Sequence, residues 1–431
     1  MREDWIESEL GELCQINMGQ SPPSSSYNTD GDGLPFFQGK AEFTDLYPVV
    51  RKWCNAPKKI AEKDDILLSV RAPVGTTNIA NQKCSIGRGL SAIKYSQCSR
   101  YVFYYLRLIE RRLDDLGTGT TFKAISGGIL KSQKIDVAPL PEQRAIVAKI
   151  EQLFSELDNG IANLKAAKAK LAIYRQAVLK KAFEGELTKE WRGKNDIERN
   201  RRKNNSAQND SNNKPCSPNG WEWKKFEEIT LNFDGKRRPL SRAIRANFKG
   251  EYPYYGACEI IDHVKEYIFD GEYLLIGEDG ANLLSKSKPL AFVATGKFWV
   301  NNHAHIVQTK GNHDIGFLMH QFNSLQINQY VTGTAQPKLS QRNLNKIPIA
   351  VCSLEEQNQV LQEIETRLSV CDNILRNIEE SLEKAEALRQ SILKKAFEGK
   401  LLNETELAAC RQQPDWQPAD KLLARIKQSQ N

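Results

Sequence analysis

The chain has 431 residues, 40% of them hydrophobic and 26% charged, with 61 Lys and Arg against 53 Asp and Glu and a formal net charge of +8. This composition suits folded domains, two to four of them at roughly 100–200 residues each, and excludes wholesale disorder. The basic excess permits a polyanionic partner without demonstrating one, and no apolar run is long enough to span a bilayer.

Residues 1–10 carry Arg2, Glu3, Asp4, Glu7 and Glu9 with no signal-peptide apolar region after them, which predicts a cytoplasmic protein. Nine cysteines stand at irregular spacing, none in a CxxC pair. They read as reduced thiols rather than a disulfide framework or zinc site.

In chain order, residues 1–140 form a first domain with short β-type runs at 34–38, 66–70 and 91–95 and a helical stretch at 102–113. Residues 141–190 form a helix. Ile150, Leu157, Leu164, Leu171 and Val178 recur every seven residues, with Val147, Phe154 and Ile161 at the second apolar position. Lys168 and Arg175 interrupt that second seam and weaken it there. Residues 191–218, rich in Asn, Lys and Arg with Pro215 and Pro218, read as a flexible basic linker.

Residues 219–354 form a second domain, with runs at 252–255, 273–277, 290–294 and 305–308 and a helix at 315–324. Residues 355–402 form a second heptad helix, with Ile364, Cys371, Ile378, Ala385 and Ile392 on one seam and Leu361, Leu368, Leu375 and Leu382 on the other. Residues 403–431 are a tail with one short helix at 415–426. Gly185 and Gly399 mark the helix ends.

An internal repeat decides the architecture. The string LKKAFEG occurs at residues 179–185 and again at 393–399, an offset of 214. Sliding by that offset aligns residues 118–187 with 332–401 without a gap, and 27 of those 70 positions are identical. The identities include Thr118-Gly119-Thr120 against Thr332-Gly333-Thr334 and Glu142-Gln143 against Glu356-Gln357. Upstream the copies diverge, with Trp5 opening one and Trp223 the other. Each copy is therefore a diverged domain followed by a retained helix.

Each helix is predicted at about 39 residues, or about 58 Å. Two such helices pack most simply on each other, antiparallel if the repeat approximates two-fold symmetry. The fold class expected is α+β (α/β): two globular domains with small, mainly antiparallel sheets, separated by two long helices in an antiparallel coiled coil with pseudo-two-fold symmetry.

Loops between the β runs carry basic, amide and small residues. The first domain offers Gln38, Lys40, Arg71, Arg88, Thr120 and Lys123. The second offers Arg237, Arg238, Arg242, Arg245, Asn301, Asn302, His303, Thr334 and Lys338. Arg reads guanine and Asn or Gln reads adenine, while Lys, Thr and backbone amides hold phosphate. Taken singly each loop is a solvated turn; their recurrence in both copies points to DNA.

His303 and His305 at i, i+2 on a strand would point the same way, with His313 nearby, but no further ligand stands at convincing spacing for a metal. Glu278 and Asp279 in GEDGAN read either as catalytic carboxylates or as an acidic turn accepting from cytosine N4. There is no GxxxxGK[ST] phosphate loop, no Asn-Pro-Pro-Tyr or Asp-Pro-Pro-Tyr of amino-methyltransferases and no nuclease carboxylate–lysine cluster. No catalytic residue is assigned. A lone methyltransferase–nuclease is disfavoured on these absences; a coiled-coil adaptor, with or without DNA, is the alternative.

The pattern resembles, along nearly the whole chain, the specificity subunit of type I restriction–modification enzymes. The carrying features are the Trp5…LGELC opening and its second occurrence at Trp223–Ile229, the TGT segments, IDVAPLPEQRAIVAKIEQLF and IPIAVCSLEEQNQVLQEIETRL, the LKKAFEG helix ends, and the tail DWQPADKLLARIKQ. The resemblance implies two target recognition domains, each reading half of a split, asymmetric site on double-stranded DNA, spaced by the helices. It implies two methylation subunits holding S-adenosylmethionine and, in the full complex, two restriction subunits using ATP and Mg2+, with no cofactor in this chain. Half-sites one turn apart have centres about 34–36 Å apart, within the reach of the predicted helices.

Overall fold

The computed structural model describes residues 2–119, 123–194, 220–333 and 335–430. It divides into two compact units, one of Met1–Leu164 with Glu379–Asn431, the other of Lys165–Ile378. The division cuts both long helices. Each unit therefore holds one β-rich domain, part of the first long helix and part of the second, whereas the sequence reading placed boundaries at the helix starts.

In the first unit, Ile66–Ser69 is buried on both faces, as its unbroken apolar run requires. It lies within a four-stranded sheet in the order Gln15–Met18, Leu90–Lys94, Ile66–Ser69, Thr77–Ile79. A five-stranded sheet beside it contains one parallel pair, Leu34–Phe37 with Cys84–Ile86. Ile6–Glu9 pairs antiparallel with Lys134–Val137. The single helix expected at 102–113 is two, Ser99–Leu108 and Glu110–Asp115. The break at Ile109 sets Glu110 to accept from the Thr76 hydroxyl at 2.9 Å. Trp5, Tyr101, Phe103, Leu106 and Ile150 form the core with Phe397 and Leu422.

The second unit has a six-stranded sheet in the order Thr230–Asn232, Ala304–Thr309, Phe269–Gly277, Ala291–Val300, Lys249–Tyr255, Ile260–Val264. Its pairs are antiparallel except Lys249–Tyr255 with Ala291–Val300. Glu222–Lys225 pairs with Pro348–Val351 as Ile6–Glu9 does with Lys134–Val137. The architecture is mixed α+β, two sheet-bearing domains separated by a long helix and followed by another.

The long helices run Leu140–Phe183 and Leu354–Phe397, 44 residues each, or about 66 Å. They exceed the predicted length because they begin ahead of the heptads; Pro141 sits in the first turn, where its missing N–H costs nothing. Both end alike. Gly185 and Gly399 have φ of 73° and 71°. Glu186 and Lys400 return their N–H to the carbonyls of Lys181 and Lys395, five residues back, while each glycine bonds three back. These are Schellman ends, which need a residue without a Cβ penalty at the left-handed position.

Heptad burial follows the sequence: Ile364, Cys371, Ile378, Ala385 and Ile392 are all buried. Within the first unit Asp158 pairs with Arg389; within the second Arg175 pairs with Asp372. Asp158 and Asp372, and Arg175 and Arg389, are the same repeat positions, so the two units contain the same ion pair with the contributing helices exchanged. Arg175, expected to weaken the seam, is a partner across it.

The repeat is aligned differently at its start than the sequence suggested. Trp5 Nε1 donates to Glu142 at 2.9 Å, and Trp221 Nε1, not Trp223, donates to the equivalent Glu356 at 2.9 Å. Strand register agrees, since Ile6 faces Val137 and Glu222 faces Val351. Trp223 is a half-buried neighbour.

The tail contains two helices, Glu404–Arg411 and Ala419–Gln430, rather than one. Leu407, Leu422 and Ile426 join the first unit's core, and Arg411 and Lys427 pair with Asp4 and Glu12. The predicted linker begins within the helix Lys189–Lys194; the rest, including Cys216, lies outside the described residues. The eight other cysteines are free. No helix among the described residues is long and apolar enough to cross a membrane.

Candidate nucleic-acid interface

Main-chain hydrogen bonds reveal one loop frame in both domains. In the first, Gly87 N–H donates to Phe37 O, Val70 to Gly89 O, Ile125 to Val70 O and Ala72 to Lys123 O, at 2.8–3.0 Å, and Thr118 and Ala124 exchange a pair. In the second, Asn301 donates to Tyr255 O, Glu278 to His303 O, Leu339 to Glu278 O and Gly280 to Pro337 O, at 2.7–3.1 Å, and Thr332 and Lys338 exchange a pair. Each bond in one domain has its counterpart in the other.

The frame fixes equivalences that sequence similarity cannot. Gly87-Arg88-Gly89 corresponds to Asn301-Asn302-His303, Arg71 to Asp279, Gln38 to Gly256, and Ala124 to Lys338. Strand register adds Gly19-Gln20-Ser21 against Gly235-Lys236-Arg237, since Ile16 faces Ile93 and Asn232 faces Val307. The backbone is shared and the side chains differ, as two readers of unlike sequences would require.

In the first domain the frame gathers the predicted residues. Gln38, Arg71, Arg88 and Lys123 are exposed on adjoining loops, with Lys40 exposed one turn beyond Gln38. The loops touch at glycines. A Cβ on Gly19 would lie 2.2 Å from Gly87 O, and one on Gly89 would lie 2.3 Å from Gln38 O. Lys123 pairs with Asp114 at 2.8 Å while staying half exposed. Thr120 lies outside the described residues. Exposed Gln20 belongs to the cluster but was missed, because its loop is marked in sequence only by a glycine shared with the other copy.

In the second domain Arg238, Arg242, Asn302 and Lys338 are exposed and His303 is half exposed. Thr334 lies outside the described residues. Three predicted contacts are committed inward instead. Arg237 Nη1 donates to Glu278 at 2.5 Å and to Ala304 O at 2.8 Å. Arg245 donates to Asp262 at 3.1 Å and stacks over the Tyr254 ring. Asn301 is buried and its Oδ1 accepts the His303 N–H at 2.8 Å. These residues hold loops in place rather than face outward, because partners invisible in the local sequence consume their polar groups.

Beneath the second domain's loops lies a buried polar network. His305 Nδ1 is 2.6 Å from Asp234 and Nε2 is 2.8 Å from Leu339 O. Glu278 meets Arg237 and, at 3.2 Å, Lys338. Burial raises the Asp234 carboxyl, but the His305 hydrogen bond overrides it and leaves it below the usual range. Burial likewise raises Glu278, and Arg237 pulls it below.

Asp234, Glu278 and His305 have the mutual spacing of metal ligands. Arg237 and Lys338 already neutralise these carboxylates, and Nε2 is spent on a carbonyl, so the set reads as an ion-pair network. His303 and His305 do not point together, as their spacing suggested. His303 precedes the strand Ala304–Thr309 and is half exposed, whereas His305 is within it and buried.

Comparison with known proteins identifies the family. The family model for the type I restriction modification DNA specificity domain matches twice, over residues 2–166 and 218–384. The specificity subunit of the type I restriction enzyme EcoDI from Escherichia coli is 25% identical over 419 residues, covering 92% of this chain and 89% of that protein. A specificity subunit assigned to the type I enzyme MjaX of Methanocaldococcus jannaschii is 49% identical over 156 residues, covering 35% of this chain and only 37% of that relative. The crystal structure of the HsdS subunit from Thermoanaerobacter tengcongensis is 46% identical, covering 43% of this chain and 46% of that one, with a TM-score of 0.36. Specificity subunits are the non-catalytic members of such systems, and catalysis lies in partner subunits. With its two specificity domains and their shared loop frame, the chain belongs to the type I restriction–modification DNA specificity family.

Proposed function

We propose that this chain reads a bipartite, asymmetric target on double-stranded DNA, one half-site per domain, and directs two methylation subunits and two restriction subunits to it. The supporting observation is the duplicated frame of main-chain hydrogen bonds that presents different side chains in the two domains. A retained scaffold with rewritten loops is what reading two unlike half-sites demands. Side chains available for base edges are Gln38, Arg71, Arg88, Asn302 and His303. Lys40, Lys123, Arg238, Arg242 and Lys338 supply charge for phosphates. S-adenosylmethionine, ATP and Mg2+ act on the partner subunits in this scheme, and the protein works in the cytoplasm.

Calling methylated motifs in the host genome, with and without the gene for this chain, tests the proposal. One split, non-palindromic motif should disappear with it. Loss of a palindromic motif, or no change, refutes the reading.

A further inference from the structure

The second domain places Asp279 where the first has Arg71, and His303 where the first has Gly89. The two side chains meet. His303 Nδ1 lies 2.7 and 3.0 Å from the two carboxylate oxygens of Asp279. A carboxylate accepts, so Nδ1 donates, and Nε2 at the far edge of the ring is left for another partner. Nε2 has none among the described residues, and the His303 side chain is 46% exposed.

The pair is held from behind. Asn301 Oδ1 fixes the His303 backbone at 2.8 Å, and Gly280, next to Asp279, donates to Pro337 O at 3.0 Å. Glu278 on the other side is clamped by Arg237 and Lys338. An imidazole–carboxylate pair with a half-exposed ring and a carboxylate still 16% exposed, on loops anchored this firmly, is pre-organised for a polar ligand.

We propose that Asp279 and His303 act as one acceptor pair that takes the exocyclic amino group of a cytosine in the second half-site, and that Arg71 at the equivalent position selects guanine in the first. This rests on the domains being DNA readers. In the major groove cytosine offers only its N4 amino group. Guanine and thymine present only acceptors and repel a carboxylate beside an imidazole nitrogen, while adenine sets its N7 acceptor beside the amino group and so opposes one of the two. Arg71 has the opposite chemistry, and it is exposed on the equivalent loop.

The test is selection of the full-length chain against random duplex DNA, with sequencing of the bound fraction. The wild-type chain should prefer C at one position of the second half-site by roughly ten- to a hundredfold over other bases. Asp279→Asn, which offers a donor beside an acceptor, should move that position toward A. Asp279→Arg should move it toward G. His303→Gly, matching the first domain's residue, should cut the preference about tenfold. In all three the first half-site and the remaining positions of the second half-site stay as they were, which also shows that the second domain is folded. Wild-type selection of another base at every position these variants alter, or an unchanged second half-site in both Asp279 variants, overturns the proposal. If the wild-type chain selects no split motif, the reader assignment itself fails; a split motif indifferent to Asp279 and His303 fails the pair alone.

Discussion

Glu142 and Glu356 occupy the same repeat position, are equally buried and accept the same tryptophan N–H, yet their electrostatic settings differ. Glu356 forms a buried ion pair with Arg192, whose side chain is 5% exposed against 1% for the glutamate, and also accepts from the Thr188 hydroxyl at 2.8 Å. Glu142 has no cation partner among the described residues, and its second oxygen has no hydrogen-bond partner. Glu356→Gln therefore strands a buried guanidinium, a loss of about 3–5 kcal/mol. For a unit of this size that lowers the melting temperature by about 6–20 °C.

Glu142→Gln strands no charge and leaves an amide oxygen for Trp5, so its cost should stay within about 1 kcal/mol. Pairing Glu356→Gln with Arg192→Met should recover most of the loss, because removing both charges is often near neutral. Thermal unfolding gives the shifts, and hydrogen exchange of peptides covering residues 132–148 and 346–362 assigns each to its unit. Equal destabilisation by the two glutamine variants, or a double variant as unstable as Glu356→Gln, would refute the reasoning.

Four further outcomes are expected. Replacing residues 221–351 with another reader should change one half-site in methylome sequencing and leave the other. Lys40→Ala or Arg238→Ala should weaken DNA binding across all sequences and flatten the log–log salt dependence by about one unit each, measured by titration at several salt concentrations. Gly89→Ala drives a Cβ into Gln38 O, so it should abolish selection of the first half-site while the second persists. Asp262 is held at about 2, chiefly by the Lys249 hydrogen bond and also by Arg245. This is a depressed carboxyl, so its contribution is complete above about pH 4 and disappears as pH falls through 2; the stability of Asp262→Asn should nearly match that of the wild-type chain at pH 2 and fall below it at pH 5.

Much of the architecture was legible because it repeats or is periodic. The seven-residue spacing of Ile364, Cys371 and Ile378 forecast their burial, since a helix seam has no other way to hide them. The identical Thr-Gly segments marked the closing hairpin of each domain. Alignment failed at Trp223, where a chemically similar residue sits two positions from the true equivalent, and only the Nε1 bond to Glu356 separates them.

The candidate site was legible as a set of loops but not residue by residue. Arg237, Arg245 and Asn301 have the right chemistry for DNA, but Glu278, Asp262 and the His303 amide, distant in sequence or facing away, already engage them. Gln20 was reachable only through backbone equivalence, whereas Asp279 was legible as part of an acidic turn but its pairing with His303 was not. A charge read in isolation shows its capability; its partners decide its use.

The bonds that tie the reading loops together run between peptide groups, which every residue except proline carries in full. The identity of the outward-facing side chains is thus largely uncoupled from loop shape: glycine is demanded where backbones nearly touch, inward anchors such as Arg237 and Asn301 are held, and the exposed positions are free to vary without refolding. Such a surface can drift from one target to another by single substitutions, each altering the base preferred while the domain stays intact. The divergence between the two halves of this chain is the trace such drift would leave.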